Sequence, residues 1–173
     1  MPSVRLEPLR ITDWMAVHSW AKLPEACRYQ PYGPDTEEQT QGFVKAAVNA
    51  WTDSPQKWFV YAARVDGQIL GLGQLNVEDR HRQGEISYVV HPLVWGRGIG
   101  TEIGSGLLTI GFEEMDLHRI YGTCDPRNLA SAGVLKKLGM TYEGRMRHTM
   151  LIRDGWRDSE LFSILEDEWS ARP

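Results

Sequence analysis

The chain has 173 residues, 42% hydrophobic and 24% charged, a balance that suits one domain around one core and excludes a disordered polyelectrolyte. A formal net charge of −4 lacks the basic surplus with which polyanion binders neutralise phosphates, so neither nucleic acid nor a membrane surface is an expected partner. The opening Met1-Pro2-Ser3-Val4-Arg5 holds no long apolar segment, no run nears the ~20 apolar residues of a membrane span, and Cys27 and Cys124 stand far apart without CxxC spacing; a cytoplasmic protein with no disulfide framework and no metal site is expected.

Val4 to Leu9 alternates as a short strand does. Thr12 is placed to cap a helix carrying Trp14, Met15, Val17, Trp20 and Leu23, with Asp13 in its first turn. Pro24 to Pro34 is rich in proline and aromatic residues and reads as an irregular loop. Thr36-Glu37-Glu38-Gln39 forms a capping box that opens a second helix to about Trp51. Two strand-like runs, Trp58 to Val65 and Gln68 to Val77, flank Asp66-Gly67, a dipeptide that tolerates positive φ at both turn positions. Glu85 to Val90 is a third strand in series. A helix from about Gly98 to Met115 carries Ile99, Ile103, Leu107 and Ile110 on one stripe. Arg119 to Cys124 is a strand, and Asn128 to Leu138 a helix that Gly139 terminates. Thr141 to Arg153 and Trp156 to Leu165 flank a second Asp-Gly turn. The order β-α-α-β-β-β-α-β-α-β-β, without repeat or linker, predicts a single mixed α/β domain over residues 1–173, a twisted mixed sheet flanked by helices.

The densest chemical signal is His91-Pro92-Leu93-Val94-Trp95-Gly96-Arg97-Gly98-Ile99-Gly100-Thr101-Glu102. A strand ends, proline breaks its ladder, and alternate glycines lead into a helix. Unpaired N–H groups at a helix start, aided by the helix dipole, bind anions, and glycines let backbone approach a phosphate closely. Arg97 adds charge beside the turn, unless it is only a solvated surface residue. A dinucleotide fingerprint fails because Thr101 and Ile103 stand where each register needs its last glycine, and the Gly-Lys-Ser/Thr of a P-loop is absent. A glycine-rich turn without ligand is the other reading. Gly104, Gly106 and Gly111, further along the helix, suit close packing on the sheet.

The segment resembles the acyl-CoA pyrophosphate loop of the GNAT acetyltransferase superfamily, with Trp95 where glutamine or arginine is usual. Asn128-Leu129-Ala130-Ser131, Lys137-Leu138-Gly139-Met140, Glu143-Gly144 and Asp154-Gly155-Trp156-Arg157-Asp158 follow in the same order. Together with the early helix, the aromatic loop and Thr36-Glu37-Glu38, they resemble the Rim-type branch, which acetylates ribosomal-protein N-termini. The resemblance implies the GNAT fold, acetyl-CoA as acyl donor, and a main-chain grip on its diphosphate by Arg97, Gly98, Ile99, Gly100, Thr101 and Glu102. It implies backbone donors at Val89 and Val90, beside a bulge, for the thioester carbonyl, and a contact from Asn128 to the pantetheine arm. It also implies Glu85 as general base and Ser131 as donor to the leaving thiolate.

Each residue also has a bland reading. Glu85 suits a strand edge, Ser131 the first turn of its own helix, Asn128 a helix N-cap, and Val89 and Val90 a buried ladder. Many superfamily members carry a tyrosine acid where Leu135 stands here. Tyr29, Tyr32, Trp51 and Trp58 suit either an acceptor pocket or the core, with core favoured for Trp58. His91 and His148 read as structural.

An amine acceptor must lose its proton before attack. At pH 7 this costs roughly 1.4 kcal/mol for an α-amine and 4.6 kcal/mol for a lysine-type amine. The Rim-type resemblance, mildly supported by this difference, implies acetyl transfer to a peptide or protein N-terminal α-amine. A small amine such as an antibiotic or polyamine, and an acyl-CoA sensor that has lost catalysis, are the alternatives. The closing hairpin is compatible with a homodimer.

Overall fold

The computed structural model describes residues 3–170. Its strands are β1 (Val4–Pro8), β2 (Trp58–Val65), β3 (Gln68–Glu78), β4 (Gln83–Val90), β5 (Arg119–Cys124), β6 (Thr141–Ile152) and β7 (Gly155–Leu165). The helices are α1 (Trp14–Ala21), α2 (Pro24–Cys27), α3 (Glu37–Asn49), α4 (Ile99–Thr109), α5 (Leu129–Lys137) and α6 (Glu166–Ser170). The seven strands form one sheet in the order β1-β2-β3-β4-β5-β7-β6. The mixed α/β layout expected from the pattern is present, with two short helices, α2 and α6, added to it.

Local chemistry explains most boundaries. Asp66 and Gly67 take φ of 49° and 80°, the twin left-handed residues that match the twist of a two-residue hairpin. At the start of α3, Thr36 Oγ1 accepts from the Gln39 N–H (3.2 Å) and Gln39 Oε1 accepts from the Thr36 N–H (2.8 Å). Three expectations need correction. Thr12 does not cap α1: a 3₁₀ turn over Ile11–Asp13 precedes the helix, and Asp13 closes that corner by accepting from the Arg10 N–H at 2.9 Å. Asp13 also meets Arg64 of β2 at 3.2 Å, so a tertiary ion pair has taken the residue that would merely have favoured the helix dipole. Leu23 lies beyond α1, before the helical turn that begins at Pro24. Finally, α4 stops at Thr109 and a π-helical turn, Ile110–Glu114, follows it.

Helices cover both faces of the sheet. α4 and α5 press Ile99, Ile103, Leu107, Leu108, Leu135 and Leu138 onto one face, where they meet Leu75, Ile86, Ile120 and Phe162. α1 and α3 press Val17, Trp20, Val44 and Ala47 onto the other, against Val60, Ala62 and Leu72. Trp58 packs with this second cluster, its ring edge-on to Phe43 at 5.9 Å. Cβ atoms at Gly104, Gly106 and Gly111 would run into Leu138, Leu6 and Ile120, so these glycines let α4 sit close to the layers beneath it.

The feature that positions the site is a defect in the sheet. β4 stays paired with β3 along its whole length, Gln83↔Glu78 to Val90↔Gly71, in unbroken register. Its parallel pairing with β5 covers Gln83↔Arg119 to Glu85↔Tyr121 and stops. Beyond Glu85 the two strands diverge and leave a gap in the middle of the sheet. Gly71 of β3 pairs with Val90 on the edge of β4 away from the gap, where a Cβ would collide with the Val89 carbonyl oxygen and crowd Ile103. Gly71→Ala is therefore expected to destabilise the fold by about 1–3 kcal/mol in urea unfolding; an unchanged midpoint would mean that β4 shifts freely.

Candidate active site

The glycine turn begins where β4 ends. His91 stops the strand: its Nδ1 accepts from the Leu93 N–H at 3.1 Å, and its buried ring meets Trp20 edge-on at 5.9 Å. Burial lowers its pKa, and its role is to hold the corner. Gly96 and Gly98 take φ of 76° and 83°, left-handed values that a side chain would oppose. The N–H groups of Gly96, Arg97, Gly98, Ile99 and Gly100 have no acceptor among the described residues, whereas those of Thr101 and Glu102 both bond the Gly98 carbonyl oxygen, at 3.0 and 3.1 Å. The free amides thus start one residue earlier than expected and end at Gly100. Thr101 keeps only its hydroxyl to offer, and the Glu102 carboxylate, in the first turn of α4, favours the helix dipole rather than an incoming anion. Arg97 is exposed and has no carboxylate partner among the described residues. The Ile99 side chain is buried in the core below.

A cleft of about 520 Å³ runs from Trp95 and Gly96 along Val90, Val89 and Tyr88 to Asn128, Ser131 and Val134, with Tyr29 opposite. The turn and the cleft are continuous, since a Cβ on Gly100 would stand 3.5–3.7 Å from Val134, Tyr88 and Val90. The cleft follows the divergence of β4 from β5. The His91 N–H bonds the Leu70 carbonyl on the β3 side at 2.8 Å. Antiparallel pairing alternates, so the Val89 N–H also turns toward β3 and the Val90 N–H turns into the gap. On that same side the Val90 carbonyl accepts from the Trp95 indole N–H at 2.8 Å. The unbroken β3–β4 register corrects the expected bulge: the strand is regular and its neighbour has left, so that of the two valines it is Val90 whose N–H faces the gap.

Asn128 caps α5, its Oδ1 accepting from the Ser131 N–H at 3.1 Å, which leaves its side-chain NH₂ for the cleft. Ser131 Oγ lies 3.0 Å from the Tyr88 hydroxyl, which also donates to the Ser131 carbonyl at 3.3 Å. Burial pushes the Tyr88 phenol up to about 12, with the bond to Ser131 pulling the other way. Tyr88 was not singled out from the sequence. Its only signal there is position, one strand residue before the two valines, whereas its pairing to Ser131 spans 43 residues of chain.

Glu85 lies on the same face of β4 as Ser87 and Val89, but lines neither this cleft nor the next. It stands four residues, about 13 Å, along the strand from Val89, and burial raises its carboxyl pKa. A second cavity of about 400 Å³ opens on that face, walled by Trp20, Phe43, Tyr32, Leu72, Gln74 and Asp35 among others. It shares Val89 and Ala26 with the first cleft, so the two meet at β4. Tyr29 and Tyr32 thus line cavities, while Trp51 packs edge-on to Phe59 and Tyr61.

The aromatic loop between α2 and α3 walls both cavities, and arginines of the β6–β7 hairpin hold it. Arg153 donates to the carbonyls of Tyr32 (2.9 Å), Gly33 (2.5 Å) and Cys27. Arg157 donates to the Tyr29 carbonyl at 2.8 Å. Arg127 lies 5.8 Å over the Tyr29 ring and pairs with Asp125 and Asp154 at 2.8 and 2.7 Å. Burial alone would raise the pKa of Asp125, and the Arg127 hydrogen bonds outweigh it, so the carboxyl lies below its ordinary range.

A row of free amides at a helix start, a cleft ending at an exposed strand N–H, and a second cavity meeting the first at that strand define a transferase that holds a phosphate-bearing acyl carrier against an acceptor. The model of the acetyltransferase (GNAT) domain matches residues 3–141, and the chain belongs to that family as an acyl-CoA-dependent N-acetyltransferase. It is 33% identical over 158 residues to the uncharacterized N-acetyltransferase YnaD of Bacillus subtilis (strain 168), covering 91% of each chain. It is 26% identical to the spermidine N(1)-acetyltransferase of Escherichia coli (strain K12), over 98% of this chain and 89% of that one. The fold also matches a ribosomal L7/L12 α-N-protein acetyltransferase, RimL, solved in complex with coenzyme A, with a TM-score of 0.85, 19% identity and 96% of each chain covered. No helix among the described residues is long and apolar enough to cross a membrane.

Arg153→Ala removes three of the bonds that fix the aromatic loop. Trypsin is expected to cut after the exposed Arg28 several-fold faster in this variant; an unchanged rate would show that the loop holds without the latch.

Proposed function

We propose that the chain transfers the acetyl group of acetyl-CoA to a primary amine entering through the second cavity. The observation that carries this reading is the meeting of the two cavities at Val89, beside the N–H of Val90. The amides of residues 96–100 and Arg97 would hold the diphosphate, and the Asn128 NH₂ the pantetheine arm. Bound there, the coenzyme supplies an activated acyl carbon. The Val90 N–H is aimed at the carbonyl oxygen as it gains charge, and one such donor is typically worth about 10²–10³ in rate. The amine nitrogen attacks the carbonyl carbon, the C–S bond breaks, and the surplus proton of the nitrogen leaves toward Glu85. The distance along β4 makes that transfer run through water. Ser131 meets the thiolate. When the Tyr88 phenol donates to Ser131 Oγ, the serine proton is free to point at the sulfur.

The expected acceptor was a peptide N-terminal α-amine. The modest volume of the second cavity, enclosed by the latched loop, supports a compact amine instead, and a protein N-terminus remains the competing reading. An acyl-CoA sensor is less well supported, because a sensor has no use for the Tyr88–Ser131 pair or for a second cavity. Release of coenzyme A thiol against peptides and small amines, with mass spectrometry of the product, tests all three. Coenzyme binding without thiol release across the panel would establish the sensor.

Glu85→Gln is expected to lower turnover at least tenfold near neutral pH with little change in the KM for acetyl-CoA. The same substitution is expected to raise the Tm at pH 7. The folded-state pKa of Glu85 lies above its unfolded value, so its favourable contribution is present below about pH 4.5 and is lost as pH rises through the folded pKa. A neutral amide escapes that loss. Equal turnover would remove Glu85 from the reaction. Tyr88→Phe is expected to lower kcat several-fold, while KM values stay within about twofold; parallel losses in kcat and in stability would make Tyr88 structural only.

A further inference from the structure

The second cavity carries a signature of its own acceptor. Its walls are Val17, Trp20, Ala21, Ala26, Phe43, Leu72 and Val89 on the apolar side, and Cys27, Tyr32, Gln39 and Gln74 on the polar side. Asp35 is the one charged residue among those that line it. The two side-chain amide oxygens of the lining already accept a bond: Gln39 Oε1 from the Thr36 N–H at 2.8 Å, and Gln74 Oε1 from the Trp58 indole at 3.0 Å. The Asp35 carboxylate has no ion-pair partner among the described residues; the Gly33 main chain and the His18 imidazole, itself held on Thr40 Oγ1 at 3.0 Å, favour its charged form without outweighing burial. Half-buried, the carboxylate sits partly desolvated, and its pKa is raised. A carboxylate facing a cavity walled by Trp20, Tyr32 and Phe43 rings is a receptor for an organic cation, since aromatic faces and a single anion attract it together.

That cation is not the nitrogen that reacts. A neighbouring carboxylate stabilises the ammonium form and raises its pKa, which opposes the deprotonation that attack requires. The reacting nitrogen belongs at the other limit of the cavity, against Val89, where β4 offers no side-chain charge. We propose that Asp35 selects acceptors with a second cationic group, held at the carboxylate across an apolar spacer while the first nitrogen reaches Val89. The acceptor class is then a compact diamine or an amine bearing a comparable remote cation, and a peptide N-terminus qualifies only when its first side chain is cationic. This assignment rests on the transferase reading above and adds to it a specificity residue.

The test compares 1,5-diaminopentane with n-pentylamine, a pair matched in length, as acceptors for the wild-type chain, Asp35→Asn and Asp35→Glu. Initial rates are followed by coenzyme A thiol release. For the wild-type chain the ratio of kcat/KM, diamine over monoamine, is expected to be at least tenfold. It should fall toward one in Asp35→Asn through a rise in diamine KM and recover in part in Asp35→Glu, with thermal unfolding confirming that both variants fold. A ratio near one in the wild-type chain, or an equal loss on both amines in Asp35→Asn, overturns the assignment and leaves the transferase intact. Absence of thiol release with any amine, alongside retained coenzyme binding, overturns both.

Discussion

The site depends on one break in hydrogen bonding. β4 and β5 share three residue pairs and then part, leaving strand N–H and C=O groups facing an opening inside a sheet rather than a neighbouring strand. Backbone polar groups left unpaired in a protein interior are costly, so a gap of this kind persists only where the surroundings hold it open and something polar enters it. Both conditions are met. On the β3 side the ladder is continuous and pins β4 in place. On the far side, Trp95 reaches back from the glycine turn to the Val90 carbonyl, and Tyr88 reaches across to Ser131 on α5. The gap is propped by side chains rather than closed by strands, and the Val90 N–H is left facing it without an acceptor among the described residues.

The glycine turn belongs to the same device. Its left-handed residues bring several amides to one surface at the start of α4, and the glycines further along that helix let it lie against Leu138, Leu6 and Ile120. Close seating of α4 directs its N-terminus at the mouth of the gap. The mouth of the gap is thus built largely from main chain, with the Trp95 indole bonded to the Val90 carbonyl beside it.

The second cavity is walled by side chains and a loop. Arg153 and Arg157 bind carbonyl oxygens of the segment from Cys27 to Gly33, and Arg127 joins the start of α5 to the β6–β7 turn through Asp154. The C-terminal hairpin thereby holds in place a loop that forms one wall of both cavities. Charge is distributed unevenly across this arrangement: arginines fix the outside of the loop, while the second cavity keeps a single carboxylate on its inside.

The order of elements, the twin left-handed residues of the Asp66-Gly67 turn, the Thr36 capping box and the glycine-rich turn that leads into α4 were legible in the sequence, because each depends on residues near one another in the chain. Thr12 failed as a cap because Asp13 answers to Arg64, 51 residues away. The donor amides end at Gly100 because Gly98 takes a conformation that turns its carbonyl to Thr101 and Glu102. Tyr88 and Asp35 carried no local mark: one is paired with a serine on α5, 43 residues away, the other lines a cavity with the aromatic residues of α1 and α3. Short-range geometry is written in neighbouring residues, whereas the partners of a buried polar group and the emptiness in front of it exist only once distant segments have packed.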